Sequence, residues 1–176
     1  MYIYSIIYSV YIVEILGEIV PRRNKIVQTR TTWSPEWTIS FDIKPMGPSL
    51  SAFTNVLHMV ANHGKDRYGR RIPMVSFRPN STVLHICASI KANRNYCFNT
   101  PPLVQNQWSN VIISQRLGEN GIYEYSIMLD GIVLHNVTNS RPRTFQNAKL
   151  YISNPWKQSA NALLKSIKVV DHQINP

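Results

Sequence analysis

The 176-residue sequence predicts an all-β fold, a two-sheet antiparallel β-sandwich, and three observations predict it. Apolar side chains recur at every second position in short runs such as Trp37-Thr38-Ile39-Ser40-Phe41-Asp42-Ile43, the period of a half-buried strand. Eleven prolines and seven glycines punctuate these runs at short intervals. No run at helical spacing exceeds about two turns; the best, Ser159 to Leu164, suffices for one turn of helix. Apolar residues make up 44% of the chain and aromatics 10%, enough to fill the space between two packed sheets. No internal repeat and no linker divides the sequence.

Met1 to Val20 is nearly continuous Ile, Tyr and Val, interrupted by Glu14, Gly17 and Glu18. The uninterrupted part ends at Val13, short of the ~20 apolar residues that a spanning helix needs, so no stable membrane span is expected. Residues 1–20 read in two ways. One is a secretory signal with Gly17 at the cleavage point, against which stand an n-region without Lys or Arg and four tyrosines. The other is an N-terminal strand, favoured by the β-branched and aromatic content. Residues 21–176 form one sandwich domain. Its expected strands are Ile26–Thr31, Trp37–Ile43, Asn55–Val60, Met74–Phe77, Thr82–Ser89, Asn95–Phe98, Ser109–Gln115, Ile122–Leu129, Ile132–Val137, Lys149–Ile152 and Leu164–Val170. Leu129-Asp130-Gly131-Ile132 is the sharpest hairpin signal, because Asp-Gly supplies the positive φ angles of a primed turn.

The charge is +10, from 19 Lys and Arg against 9 Asp and Glu. Charged residues are only 16% of the chain, against about 25% in an average soluble protein, so the basic excess reflects a scarcity of acids. Nine carboxylates leave little material for an acid/base pair or a hard-metal cage, which disfavours carboxylate-rich hydrolases and high-affinity calcium proteins. Nucleic acid suits a positive chain, but no nucleic-acid motif accompanies the charge, and no nucleic-acid partner is expected.

Cys87 and Cys97 flank Ala88–Tyr96, with Lys91-Ala92-Asn93-Arg94-Asn95 as the natural turn. Folding a hairpin near Ala92 sets the two sulfurs opposite each other on adjacent strands, where Cα atoms about 4.5 Å apart permit a bridge. Two cysteines placed about a turn favour a disulfide over a metal site, which wants more ligands. The bridge implies an oxidising compartment; the other reading is a pair of buried thiols. Asn80-Ser81-Thr82 and Asn136-Val137-Thr138 are glycosylation sequons, both at expected strand ends.

Asn106-Gln107-Trp108-Ser109-Asn110-Val111-Ile112-Ile113-Ser114-Gln115 resembles the W-x-x-V-x-V strand of laminin-G-like domains of animal extracellular proteins. Tyr123 to Val133, with Leu129-Asp130-Gly131, resembles the hairpin that follows, and Ala148-Lys149-Leu150-Tyr151-Ile152-Ser153 the strand after it. Trp37 to Pro45, Asn55 to His58 and Tyr68 to Pro73 resemble the opening part of the same jelly roll, so the likeness runs from about Ile26 to Val170. It implies a concanavalin A-like jelly roll, secreted, that binds glycans or extracellular matrix proteins, and it does not name a ligand. The glucanases of that superfamily carry clustered acids of the E-x-D-x-x-E type, which this sequence lacks, so no enzyme is expected. Neither the paired acids of calcium-dependent lectins nor the galectin His/Asn/Arg signature is matched, and no cofactor or metal residue is carried over.

Two features are candidate ligand sites. Lys65-Asp66-Arg67-Tyr68-Gly69-Arg70-Arg71 places four cations and one tyrosine within seven residues. Arg forks and a stacking ring suit an anionic, sulfated glycan; the bland reading is a solvated loop whose arginines pair with Asp66 and carbonyls. Arg22, Arg23 and Lys25 extend the patch if the N-terminal segment lies nearby. The second feature is Asn154-Pro155-Trp156-Lys157. Trp156 there either faces solvent as a platform for sugar C–H faces, with the Asn154 amide reading hydroxyls, or tucks under the sandwich edge. His58, His63, His85, His135 and His172 are scattered; His58 and His85 sit in apolar strands and read as satisfied core or groove residues. Trp37 and Trp108 read as core. The functional expectation is a non-catalytic, secreted, lectin-like carbohydrate-binding module for anionic glycans. The alternatives are an adhesion or matrix module and, less favoured, a glycan-cleaving enzyme.

Overall fold

The computed structural model describes residues 8–62 and 67–174. The chain runs through β1 (Tyr8–Ile15), β2 (Ile26–Trp33), β3 (Trp37–Pro45), β4 (Thr54–Asn62), β5 (Met74–Phe77) and β6 (Val83–Ile90). It continues through β7 (Asn93–Pro102), β8 (Ser109–Leu117), β9 (Tyr123–Leu129), β10 (Ile132–Asn139), β11 (Phe145–Tyr151) and β12 (Ala162–Ile174). The strands form two six-stranded antiparallel sheets, ordered β1-β12-β3-β8-β9-β10 and β2-β11-β4-β5-β6-β7. No helix occurs among the described residues, so none there is long and apolar enough to cross a membrane.

The period-two pattern does what it predicts. Trp37, Ile39, Phe41 and Ile43 of β3 all point inward and are buried, while the residues between them are half-exposed. They meet Leu57 and Met59 of β4, Phe77 of β5 and Leu84 and Ile86 of β6, each fully or almost fully buried. Two bulges re-aim the alternation. Between Asn55 and Leu57 the register of β4 against β5 shifts, and between Lys165 and Lys168 β12 shifts against β3, with Ser166 at φ 51°. The first puts Leu57, Met59 and Ala61 in the core and turns His58 and Val60 to the outer face of the sheet.

The hairpins follow their turn chemistry. Asp130 and Gly131 take φ 50° and 79°, closing β9 onto β10. Lys91 and Ala92 take φ 53° and 60° at the tip between β6 and β7. Below that tip Cys87 faces Cys97 in register, their Cα atoms 4.1 Å apart, and the disulfide is formed. It fits an oxidising environment.

Three expectations need correction. Ser159 to Leu164 is not a helical turn: Ser159 bridges Asn55 and Leu164 lies within β12, because pairing with β3 and β4 outweighs a spacing too short to nucleate a helix. Trp108 is not core. It is half-buried on the outer face, its ring between the ammonium groups of Lys165 at 4.2 Å and Lys44 at 4.8 Å. Asn136 lies within β10 opposite Ser126, not at a strand end, and its amide donates to Glu124 Oε2 at 3.2 Å; Asn80 is exposed in the turn before β6. β7 and β12 also outrun their expected limits, since their polar ends pair through the backbone and leave no apolar pattern.

The two sheets are tied at one edge by a buried ion pair. Arg30 of β2 reaches Asp171 of β12, Nη2 to Oδ2 3.2 Å, with both side chains withdrawn from water. Asp171 also accepts from the Ser34 amide at 3.0 Å and the Ser34 hydroxyl at 2.6 Å, and the Arg30 guanidinium lies 3.7 Å over the Tyr11 ring of β1.

Candidate functional site

The outer face of the second sheet carries a cavity of about 570 Å³ over β11, β4 and β5. Its floor is set by register: His58 of β4 stands between Tyr151 of β11 and Met74 of β5. Two segments rise beside it as walls, and each is held by the backbone.

The first wall carries Arg70 and Arg71. Ala61 N donates to Gly69 O at 3.0 Å, Ile72 N to Met59 O at 2.9 Å and Ser89 N to Arg71 O at 2.7 Å, so the segment before β5 is stitched to β4 on one side and β6 on the other. Gly69 is required there. It sits at φ 100°, and a Cβ on it would stand 2.8 Å from Phe145 Cδ1. The second wall carries Asn154, Trp156 and Lys157. Asn154 N donates to Asn55 Oδ1 at 2.8 Å, and Asn154 Oδ1 accepts from Trp156 N at 3.0 Å and Lys157 N at 2.9 Å, an Asx turn that fixes the loop. Arg23 joins it from outside, Nε donating to Pro155 O at 2.7 Å. That is where the basic Arg22-Arg23 segment meets the site.

Buried His58 is the link between the walls. With Asn154 Oδ1 taken by the two amides, Asn154 Nδ2 donates to His58 Nδ1 at 3.0 Å, so the proton sits on Nε2 and is donated to Arg70 O at 2.6 Å. Burial pushes the His58 pKa down to about 4, with Arg71, Arg70 and Lys157 adding to the shift and the bond to the Arg70 carbonyl opposing it. The imidazole is therefore neutral at pH 7, with both nitrogens engaged. Trp156 is 63% exposed and forms the lip, its ring edge-on to His58 at 5.8 Å and tilted against Tyr151 at 6.1 Å.

The electrostatics are one-sided. Arg70, Arg71, Lys149 and Lys157 all line the cavity, and none of its described lining residues is Asp or Glu. Burial and then the neighbouring Arg70 and Arg94 hold the Arg71 pKa below the usual guanidinium range. Burial and then Arg71 lower that of Lys157. Arg71 Nε is buried without a hydrogen-bond partner. Half-buried cations that depress one another without an acid to offset them favour an incoming anion.

The two sequence candidates are thus one site. Arg70 and Arg71 line the same cavity as Trp156, which is exposed, not tucked away. Asn154 lines it too but does not read hydroxyls, since it is buried with Oδ1 taken by two amides and Nδ2 on His58. Lys65, with Asp66, lies outside the described residues. Arg67 is exposed but does not line the cavity. Tyr68 is turned to the far side of its loop, buried against Phe145 with ring centroids 5.9 Å apart. Sequence reading missed Lys149, Lys157 and Tyr151 as site residues, and it placed His58 without its partners. The alternation of β11 assigns Lys149 and Tyr151 to the face opposite Ala148 and Leu150, but only pairing with β4 sets them beside His58. The cluster His85, Cys87 and Cys97 is no metal site, since the two sulfurs bond each other; His85 Nε2 lies 3.1 Å from Cys87 Sγ and Nδ1 2.8 Å from Asn99 Oδ1.

No protein-family model and no curated protein matches the chain by sequence. Solved structures do match by shape. The SAP-like pentraxin from Limulus polyphemus superposes with a TM-score of 0.54 at 13% identity, covering 91% of this chain and 75% of that one. The Emp47p carbohydrate recognition domain gives 0.54 at 10% identity over 95% and 89%. The Trypanosoma rangeli sialidase gives 0.57 at 12% identity over 80% of this chain but only 21% of the sialidase. At such identities these likenesses show the fold alone, a two-sheet antiparallel β-sandwich.

Proposed function

We propose that this chain is a non-catalytic, secreted carbohydrate-binding module and that the cavity over β4, β5 and β11 receives an anionic sugar. The observation that carries the reading is the composition of the cavity wall: four cations, an exposed tryptophan lip and a fixed asparagine, without a carboxylate among the described residues. Carboxylate or sulfate groups would be held by Arg70, Arg71, Lys149 and Lys157 through charge-assisted bonds. The Trp156 ring offers a face for sugar C–H groups. The Emp47p carbohydrate recognition domain and the fold it shares support the carbohydrate class. Hydrolysis of a glycosidic bond asks for an acid and a base or nucleophile; no carboxyl pair stands among the described residues lining the cavity, and both nitrogens of its histidine are already bonded. The disulfide supports secretion.

A glycan array read at low and at physiological salt tests this. Salt-sensitive binding to sulfated or carboxylated glycans is expected, lost in Arg70→Ala/Arg71→Ala and weakened about tenfold or more in Trp156→Ala, with an almost unchanged melting temperature. Silence across the array in favour of an extracellular matrix protein, retained binding in the double variant, or turnover of any glycan would overturn the reading.

A further inference from the structure

The loop that walls the cavity has a second concavity on its far side, also of about 570 Å³, between the tip of the β6–β7 hairpin and the segment joining β10 to β11. Its walls carry Lys91 and Arg94 from the hairpin and Arg141 and Arg143 from the joining segment, with Tyr68 at its side and again no Asp or Glu among the described lining residues. The groove is built. Asn139, 2% exposed, accepts on one oxygen from the amides of Lys91 at 2.8 Å and Arg141 at 3.1 Å, so a single buried side chain fixes both walls. Its amide nitrogen is anchored in turn on Gln115 Oε1 at 2.7 Å. The Tyr68 hydroxyl donates to Arg141 O at 3.4 Å, and the Arg143 guanidinium lies 4.5 Å over the Tyr68 ring.

The two concavities are not independent. Ser89 ties them: its amide donates to Arg71 O at 2.7 Å, and its hydroxyl accepts from Gly69 N at 3.1 Å and donates to Arg94 O at 3.3 Å. Arg71, which lines the first cavity, feels the charge of Arg94, which lines the second. From β4 to β7 is three strand spacings, roughly 14 Å, more than one sugar ring fills. We propose that the two concavities are the ends of one track, which binds an acidic polysaccharide chain crossing the Arg70-Arg71 loop from Lys157 to Arg141. This rests on the glycan reading above and adds to it that the ligand is a polymer and where its second end lies. A short anionic sugar uses the first cavity alone; a long one gains the second contact at high effective concentration.

Isothermal titration with size-fractionated sulfated oligosaccharides tests the track. The dodecasaccharide is expected to bind about tenfold or more tightly than the tetrasaccharide. Lys91→Ala/Arg141→Ala, at two exposed positions, removes that gain and leaves tetrasaccharide affinity and melting temperature unchanged, which also shows that the variant is folded. Its log-affinity slope against log salt for the dodecasaccharide falls by roughly one to two, from the two lost contacts. A dodecasaccharide no tighter than the tetrasaccharide, or one indifferent to the double variant, overturns the track and leaves the first cavity's assignment standing. No binding of either length overturns both. A single-stranded oligodeoxynucleotide of matched charge that binds as tightly as the dodecasaccharide overturns the polysaccharide assignment.

Discussion

Arg30 and Arg71 are both arginines drawn out of water, and in both Nε is buried without a hydrogen-bond partner. What differs is the company. Arg30 meets Asp171, which is itself bonded to Ser34, and the pair joins a strand of one sheet to a strand of the other. Arg71 meets Arg70, Arg94 and Lys157, each of like sign. In a chain with 9 acids, placing one carboxylate in the sheet junction and none in the described lining of the cavity separates two uses of a cation. The first closes the fold on itself; the second leaves like charges together with no carboxylate among the described lining residues, the feature on which the proposed anion binding rests.

Asp171→Ala should break that contrast hardest, because it gives the junction the condition of the cavity, a buried arginine without a carboxylate. A loss of about 3–5 kcal/mol is expected, read as a lower denaturation midpoint, with Arg30→Met/Asp171→Leu recovering most of it. If Asp171→Ala unfolds as the wild type does, the pair is not what ties the sheets.

The cavity has its own titration. His58 goes from an unfolded pKa near 6.5 to about 4 in the fold, so the unfolded chain binds more protons between those values and stability rises with pH across them. Its contribution is complete above pH ~6.5 and is lost progressively as pH falls toward 4, by roughly 3 kcal/mol in all. His58→Gln should flatten that limb of the stability–pH curve; an unchanged limb would place the titration elsewhere.

Reduction of the Cys87–Cys97 bridge, or Cys87→Ser/Cys97→Ser, should cost about 2–3 kcal/mol through the short loop it closes. Sugar binding per folded molecule should stay as it was, because neither cysteine lines a cavity. A reducing against non-reducing mass measurement checks the bridge itself.

The smallest effect on stability is the reverse of the first. Asn147 lines the cavity at φ 52°, a conformation that Asp also tolerates. Asn147→Asp supplies the acid the cations lack. It should raise stability by a few tenths of a kcal/mol while weakening anionic-glycan affinity about tenfold in the same titration. Unchanged affinity would mean that the cations do not hold the ligand.

Much of the fold was legible locally. The alternation of Trp37 to Ile43, the Asp130-Gly131 turn and the placing of two cysteines about Ala92 each report a neighbourhood of a few residues. Trp108, expected in the core, shows the limit of reading by residue type. The alternation of β8 buries Val111 and Ile113 and so puts position 108 on the outward face, where Lys44 of β3 and Lys165 of β12 reach its ring. The candidate site was legible in pieces, as a basic loop and as an Asn-Pro-Trp turn some eighty residues further on. Nothing in either piece names the other.

The sequence by itself determined the sandwich class, the hairpins and the surplus of positive charge, since strand period, turn chemistry and composition act over short range or over the whole chain at once. The structure chose the bridge over a pair of thiols by setting Cys87 opposite Cys97. Only the tertiary structure decided where the charge gathers. The bulge between Asn55 and Leu57 turns His58 outward, β4 pairs with β11 and β5, and Arg70 and Arg71 are stitched to β4 and β6. Strand pairing is non-local, so the residues that make the cavity become neighbours only when the sheet closes around them.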